Sequence, residues 1–226
     1  MDTGTDLARE ATRVGALADP TRRALYEYVA AQREAVGREA AATALGLPLH
    51  SVKFHLDRLV GAGLLATEFR RLGDRNGPGA GRPSKLYRRA DEPVTISLPG
   101  RRYDLVGHIL AAGVERAGAG VPLAEAVDAA ASEAGREVGT AAAPGDIAAL
   151  TEVLAAQGFE PRVDDEVVLL ANCPFDALAR AHTALVCGLN RAYVQGVADG
   201  LGCGATACLE PEPGLCCVKV RPGDYA

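Results

Sequence analysis

Six residues in this chain have the type and the clustering to bind a metal or do redox chemistry. Cys173, Cys187, Cys203, Cys208, Cys216 and Cys217 all fall in the last 54 of 226 residues, and the 172 residues before them contain no cysteine. Thiolates are soft ligands that suit iron–sulfur clusters, zinc and copper(I). A free cysteine can also serve as a small buried apolar group, but chance burial does not explain confinement to one quarter of the chain. No Cys-x-x-Cys pair of the zinc-finger or redox kind occurs. The spacing therefore fits a site assembled by tertiary structure. No acid/base residues visibly gather around the thiols, which argues against an enzyme.

Each cysteine needs an element to aim it. "GFEPRVDDEVVLLANC" reads as a hairpin turning at Asp164-Asp165, with a second strand over Glu166–Ala171. Asn172 would cap the helix that follows, with Pro174 at or just after its first position, leaving Cys173 at a strand-to-helix junction. Cys173 and Cys187 lie 14 positions apart. One straight helix would set them on a shared face but about 21 Å apart, too far for ligands of one site. We therefore expect a break around Arg180–Thr183, with Thr183 capping a second helix from Ala184. That would bring a helix N-terminus beside the Cys187 thiolate and favour its charge. "ATACLEP" and "GLCCVKV" read as two more strands. Side chains alternate along a strand, so only one of Cys216 and Cys217 should readily face Cys173 and Cys187.

The front of the chain is different in kind. Residues 1–90 carry 15 basic and 10 acidic residues, and residues 91–226 carry 9 and 19. A basic front points to a polyanion partner. In "LADPTRRALYEYVAAQ" Asp19 can cap a helix and Pro20 fits its first position. The short Ala-rich segment Arg38–Leu45 follows, then "LGLP", where Gly46 ends one helix and Pro48 opens the next. Helix, tight turn, helix is a DNA-binding arrangement. On the helix from Pro48 to Ala62, Val52, Leu56, Leu59 and Val60 form an inward stripe. His50, Ser51, Phe54 and Arg58 lie opposite, flanked by Lys53 and Asp57. These polar, aromatic and basic tips suit base edges, a thymine methyl and phosphates. His55 lies near the inward edge and reads as a packed or phosphate-contacting histidine. "GAGLLATEFRR" and "SKLYRRA" read as strands around the loop "LGDRNGPGAGRPS", making a wing whose Arg82 and Lys85 face the minor groove or its phosphates.

Between the two ends, "DEPVTISLPGRR" reads as a short strand or extended linker. Tyr103–Glu115, Val121–Gly135 and Ala143–Gln157 read as helices that dimerise and transmit. His108, beside an apolar stripe, reads as structural. Ala and Gly are abundant and aromatics scarce, so these helices should pack through small side chains. The acidic start "MDTGTDLARE" does not read as a signal peptide, and no run of 18 apolar residues occurs. We expect a cytoplasmic protein with no membrane partner.

"LADPTRRALYEYV", "LGLPLHSVKFHLDRLVGAGLL" and "GRPSKLY" resemble the winged helix-turn-helix domain of the ArsR-like repressor superfamily. "NCPFDALARAHTALVCGLNRAYVQGV" with "PGLCCVKV" resembles the C-terminal part of the SufR-like iron–sulfur assembly repressors. The resemblance implies a homodimer on palindromic double-stranded DNA, repressing genes for iron–sulfur cluster assembly. It implies an iron–sulfur cluster, of the [4Fe-4S] type, on Cys173, Cys187 and Cys216, with Cys203, Cys217 or His182 as the fourth ligand. Zinc, or no cofactor at all, is the alternative, in a regulator that senses thiol redox state or a small molecule. The expected architecture is α+β. A winged helix-turn-helix domain spans residues 1–90 and a linker spans 91–102. A dimerisation and sensor domain, with a small antiparallel sheet and the cysteine cluster, spans 103–226.

Overall fold

The computed structural model describes residues 3–71 and 83–223. They form two compact units, one within residues 2–96 and one within 97–226. The first holds α1 (Thr3–Ala16), α2 (Pro20–Ala30), β1 (Val36–Gly37), α3 (Arg38–Leu45), α4 (Leu49–Gly61), β2 (Leu65–Arg70) and β3 (Ser84–Arg89). The Asp19 carboxylate accepts the Arg22 N–H at 2.9 Å, and Pro20 follows it at the start of α2. That backbone bond is the main reason the Asp19 carboxyl is held below its ordinary value. Gly46, at φ +63°, ends α3 in the left-handed conformation and lets α4 turn back across it. Leu25, Val52, Leu56 and Leu59 are fully buried, and each contributes about 1.5–3 kcal/mol of apolar burial. β2 and β3 pair antiparallel from Leu65↔Arg89 to Arg70↔Ser84. β1 adds a third strand against Tyr87 and Leu86. Two residues carry no periodicity, so β1 left no trace in the sequence pattern.

The second unit holds α5 (Tyr103–Gly118), α6 (Leu123–Ala141), α7 (Ile147–Ala156), β4 (Pro161–Asp164), β5 (Val167–Leu170), α8 (Asp176–Ala181), α9 (Thr183–Leu201), β6 (Ala205–Leu209) and β7 (Val218–Pro222). Its sheet runs β4-β5-β7-β6, antiparallel throughout. α6 and α9 lie in intimate contact. A Cβ added at Gly135 or Gly139 would strike the carbonyls of Tyr193 or Val197, and one at Gly196 or Gly200 those of Ser132 or Arg136. Both partners advance together, so the helices run parallel with bare backbone between them. The chain as a whole is α+β, as the sequence pattern implied.

Several local expectations need correction. The hairpin turns on Asp165 and Glu166, at φ +43° and +67°, rather than on Asp164-Asp165. Two successive positive φ angles give the turn whose twist matches the flanking strands. His108 is exposed on α5, not packed as a structural histidine, because the buried stripe passes through Val106 and Ile109 instead. Residues 91–102 contain no strand.

Candidate functional site

In the first unit α4 buries Val52, Leu56 and Leu59 and turns His50, Lys53, Phe54 and Arg58 outward, with Ser51 half-buried. Phe54 is 55% exposed, so it is not a core aromatic. The Arg58 guanidinium lies 5.6 Å from its ring centre, and the His55 ring stands edge-on at 5.3 Å. His55 is half-buried with Nδ1 unpartnered. Lys85 differs from the sequence reading. Its ammonium donates to Asp57 Oδ1 at 2.6 Å, the oxygen that also accepts the Tyr87 hydroxyl at 3.1 Å. Partial burial opposes the Asp57 charge, but the bonds from Lys85 and Tyr87 outweigh it and hold the carboxyl below its ordinary value. The wing lysine is thus tied to the exposed helix. Arg82 and the loop over residues 72–82 lie outside the described residues.

In the second unit four thiols converge. β5 ends at Leu170 where its antiparallel neighbour β7 begins at Val218, so Cys173 and Cys216 leave and join the sheet side by side. The Cys216 N–H donates to the Leu170 carbonyl at 2.8 Å, and the Cys217 carbonyl accepts the Glu210 N–H at 2.8 Å. The cysteine pair therefore precedes β7 rather than lying within it, and the two differ in burial, Cys216 buried and Cys217 half-buried. The Cys216 thiol acts on Cys173, and the Cys217 thiol acts on both Cys216 and Cys187, so the four lie within reach of one another. Cys187 arrives because the helix breaks at His182, between α8 and α9. The break has no side-chain cap: the Thr183 hydroxyl donates backward to the Ala179 carbonyl at 2.8 Å. Asn172 caps nothing either. It is buried, donating to the carbonyls of Gly100 at 3.0 Å and Gly158 at 2.6 Å and accepting from Arg101 at 2.6 Å. Those bonds fix the turn that presents Cys173.

The remaining candidates stand apart. His182 is exposed at the helix break. Cys203 follows α9 and responds to burial and to Asp146, and Cys208 lies on β6 with Thr206 as its partner. Of the three fourth-ligand candidates, Cys217 is the one that acts on Cys187 and Cys216.

Electrostatics set the state of this corner. The Cys173 thiol is pushed far up, first by its bond to Cys216 and then by burial. The bond from Cys173 favours a Cys216 thiolate. The bond to Cys217 and burial outweigh it and push Cys216 up to about 11. Burial raises Cys187. Cys173, Cys187 and Cys216 are protonated at neutral pH, and a metal must displace those protons to enter. Among the described residues no group of three or more His, Cys, Asp or Glu stands in a geometry that could hold a metal ion. N–H donors are nonetheless in place. The Phe175 N–H reaches Cys173 and the Val218 N–H reaches Cys216, each two residues on, and both favour the thiolate. Asn190 Nδ2 donates to Cys216 Sγ at 3.2 Å. The donor set fits a soft metal or an iron–sulfur cluster.

Residues 17–68, from the turn before α2 into β2, match the family described as "Helix-turn-helix domain". The first unit holds a helix-turn-helix domain. That match supports a DNA-binding transcription regulator, with α4 as the exposed second helix of the motif. No curated protein and no solved structure matches the chain. Among the described residues no helix is long and apolar enough to cross a membrane.

Two residues of the thiol corner escaped sequence reasoning. Arg101 donates to the Cys173 carbonyl at 3.4 Å, from a position 72 residues away. Asn190 was visible only as a polar residue on an otherwise apolar helix face, three positions after Cys187.

Proposed function

We propose that this chain is a cytoplasmic repressor that binds a palindromic DNA operator as a homodimer and is controlled by an iron–sulfur cluster on Cys173, Cys187, Cys216 and Cys217. The gathering of four thiols, with N–H donors already aimed at two of them, carries the reading. His50, Ser51, Lys53, Phe54 and Arg58 read the operator, and the thiol corner reads the cell's iron or redox state. A cluster bound there would supply an oxygen-labile centre whose gain or loss changes the charge of the corner. The chain's own part is to hold the sulfurs at a helix start and a strand start, exclude water, and release their protons. Genes for cluster assembly are the targets the resemblance implies. The chain is a regulator and not an enzyme.

Four thiols also make a zinc set, so the deciding experiment must tell the two apart. Anaerobic reconstitution with iron and sulfide should give a brown protein whose operator gel shift differs from that of the metal-free form. Equal affinity in both states would sink the sensor reading. A colourless protein that retains zinc would move the site to zinc. Cys187→Ser should abolish cluster uptake, and Cys208→Ser should leave it intact.

A further inference from the structure

Asn190 is 1% exposed on α9, where its buried neighbours Val186, Leu189, Ala192, Tyr193 and Val194 are apolar or aromatic. Its amide N–H reaches Cys216 Sγ at 3.2 Å, and its Oδ1 is buried with no partner among the described residues. An unpaired buried carbonyl is unfavourable and rare in native structures. A leucine there would fill the space without that penalty, so the amide is kept for what its N–H does.

The bonds around Cys216 fall into two kinds. The thiol-to-thiol couplings with Cys173 and Cys217 depend on protons that leave when a metal enters. The bonds from Asn190 and from the Val218 backbone donate nitrogen-bound hydrogens. They survive that exchange and strengthen as the sulfur gains charge. Of those two donors, only Asn190 is a side chain.

Building on the reading of this corner as a soft-metal site, we propose that Asn190 is its positioning residue, holding the Cys216 sulfur before loading and stabilising it as a thiolate afterwards. The effect reaches affinity as well as orientation, because groups hydrogen-bonded to metal ligands typically change metal affinity by about 10- to 100-fold. In a loaded cluster the same bond raises the reduction potential, since hydrogen bonds to sulfur favour the more electron-rich state.

Two measurements on the full chain test this. In the metal-free protein, Raman S–H stretching isolates the Cys216 component as the one lost in Cys216→Ala. Asn190→Leu should shift that component, and an unshifted component overturns the proposal. With cobalt(II) as probe, Asn190→Leu should weaken binding by at least about tenfold and move the sulfur-to-cobalt charge-transfer band to lower energy. An unchanged affinity and band in a folded variant overturn it too. Asn190→Ala, which adds no bulk, is read in the same way if the leucine variant does not fold. If the parent chain takes up neither cobalt(II) nor a cluster, the metal reading fails. The Raman result still decides whether Asn190 holds Cys216.

Discussion

The tie between Asp57 and Lys85 makes a quantitative prediction about DNA binding. Asp57→Asn removes the carboxylate that holds the wing lysine while keeping an acceptor for the Tyr87 hydroxyl. Both side chains are roughly half-exposed, at 41% and 38%, so the ion pair itself is worth only about 0.2–1 kcal/mol of stability, and the fold should survive. The larger effect falls on DNA. A lysine bonded to a carboxylate at 2.6 Å is already neutralised and releases few counterions on meeting a phosphate. Freed, it adds one phosphate contact per protomer and steepens the slope of log affinity against log salt by about 0.9 for each protomer bound. At about 0.15 M salt that amounts to roughly fivefold tighter binding per contact. The assay is fluorescence anisotropy of a labelled duplex across a salt series. Lys85→Ala alone should leave the slope nearly unchanged, whereas in the Asp57→Asn background it should return the slope to the parent value. If Lys85→Ala alone lowers the slope by about 0.9 for each protomer bound, the lysine leaves Asp57 for phosphate in the complex and the reasoning is refuted.

Three further outcomes are expected. Gly196→Ala places a methyl on the Ser132 carbonyl and should destabilise by at least about 1–3 kcal/mol in urea unfolding, whereas Gly188→Ala, on the same helix with open space around it, should be neutral or stabilising. Equal effects would deny the close packing of α6 against α9. The Cys216 thiol rises from 9.0 to about 11 on folding, so the folded state holds its proton more tightly. Its contribution to metal-free stability is complete below pH 9 and disappears as pH rises toward 11, a loss of about 2–3 kcal/mol. Anaerobic unfolding midpoints across that range should show it, and Cys216→Ser should lack it. Asn172→Ala strips acceptors and donors from Gly100, Gly158 and Arg101 and should cost about 1–3 kcal/mol; a Tm unchanged from the parent would show that the Cys173 turn holds itself.

Local rules read the first unit well. The Asp19 cap, the Gly46 turn and the stripe of Val52, Leu56 and Leu59 depend on residues within one or two turns of each other, so composition and spacing were enough. The same rules failed where partners are distant in sequence. Asn172 resembles a cap, yet its bonds go to Gly100 and Gly158. Lys85 resembles a free wing lysine, yet an aspartate 28 positions back holds it. Thr183 resembles a cap, yet its hydroxyl turns back into the preceding helix.

The sequence by itself determined that the cysteines belong to one region and that Cys173 and Cys187 could meet only if a helix broke near Arg180–Thr183. Helix rise alone requires that. Only the tertiary structure decided that Cys217 joins Cys216 at the corner, while Cys203 and His182 stand apart. Alternation governs side chains within a strand, and β7 begins two residues too late to contain the pair. Where a strand begins is set by its partners, here Leu170 and Glu210, and those residues lie 46 and 7 positions from the cysteines they hold.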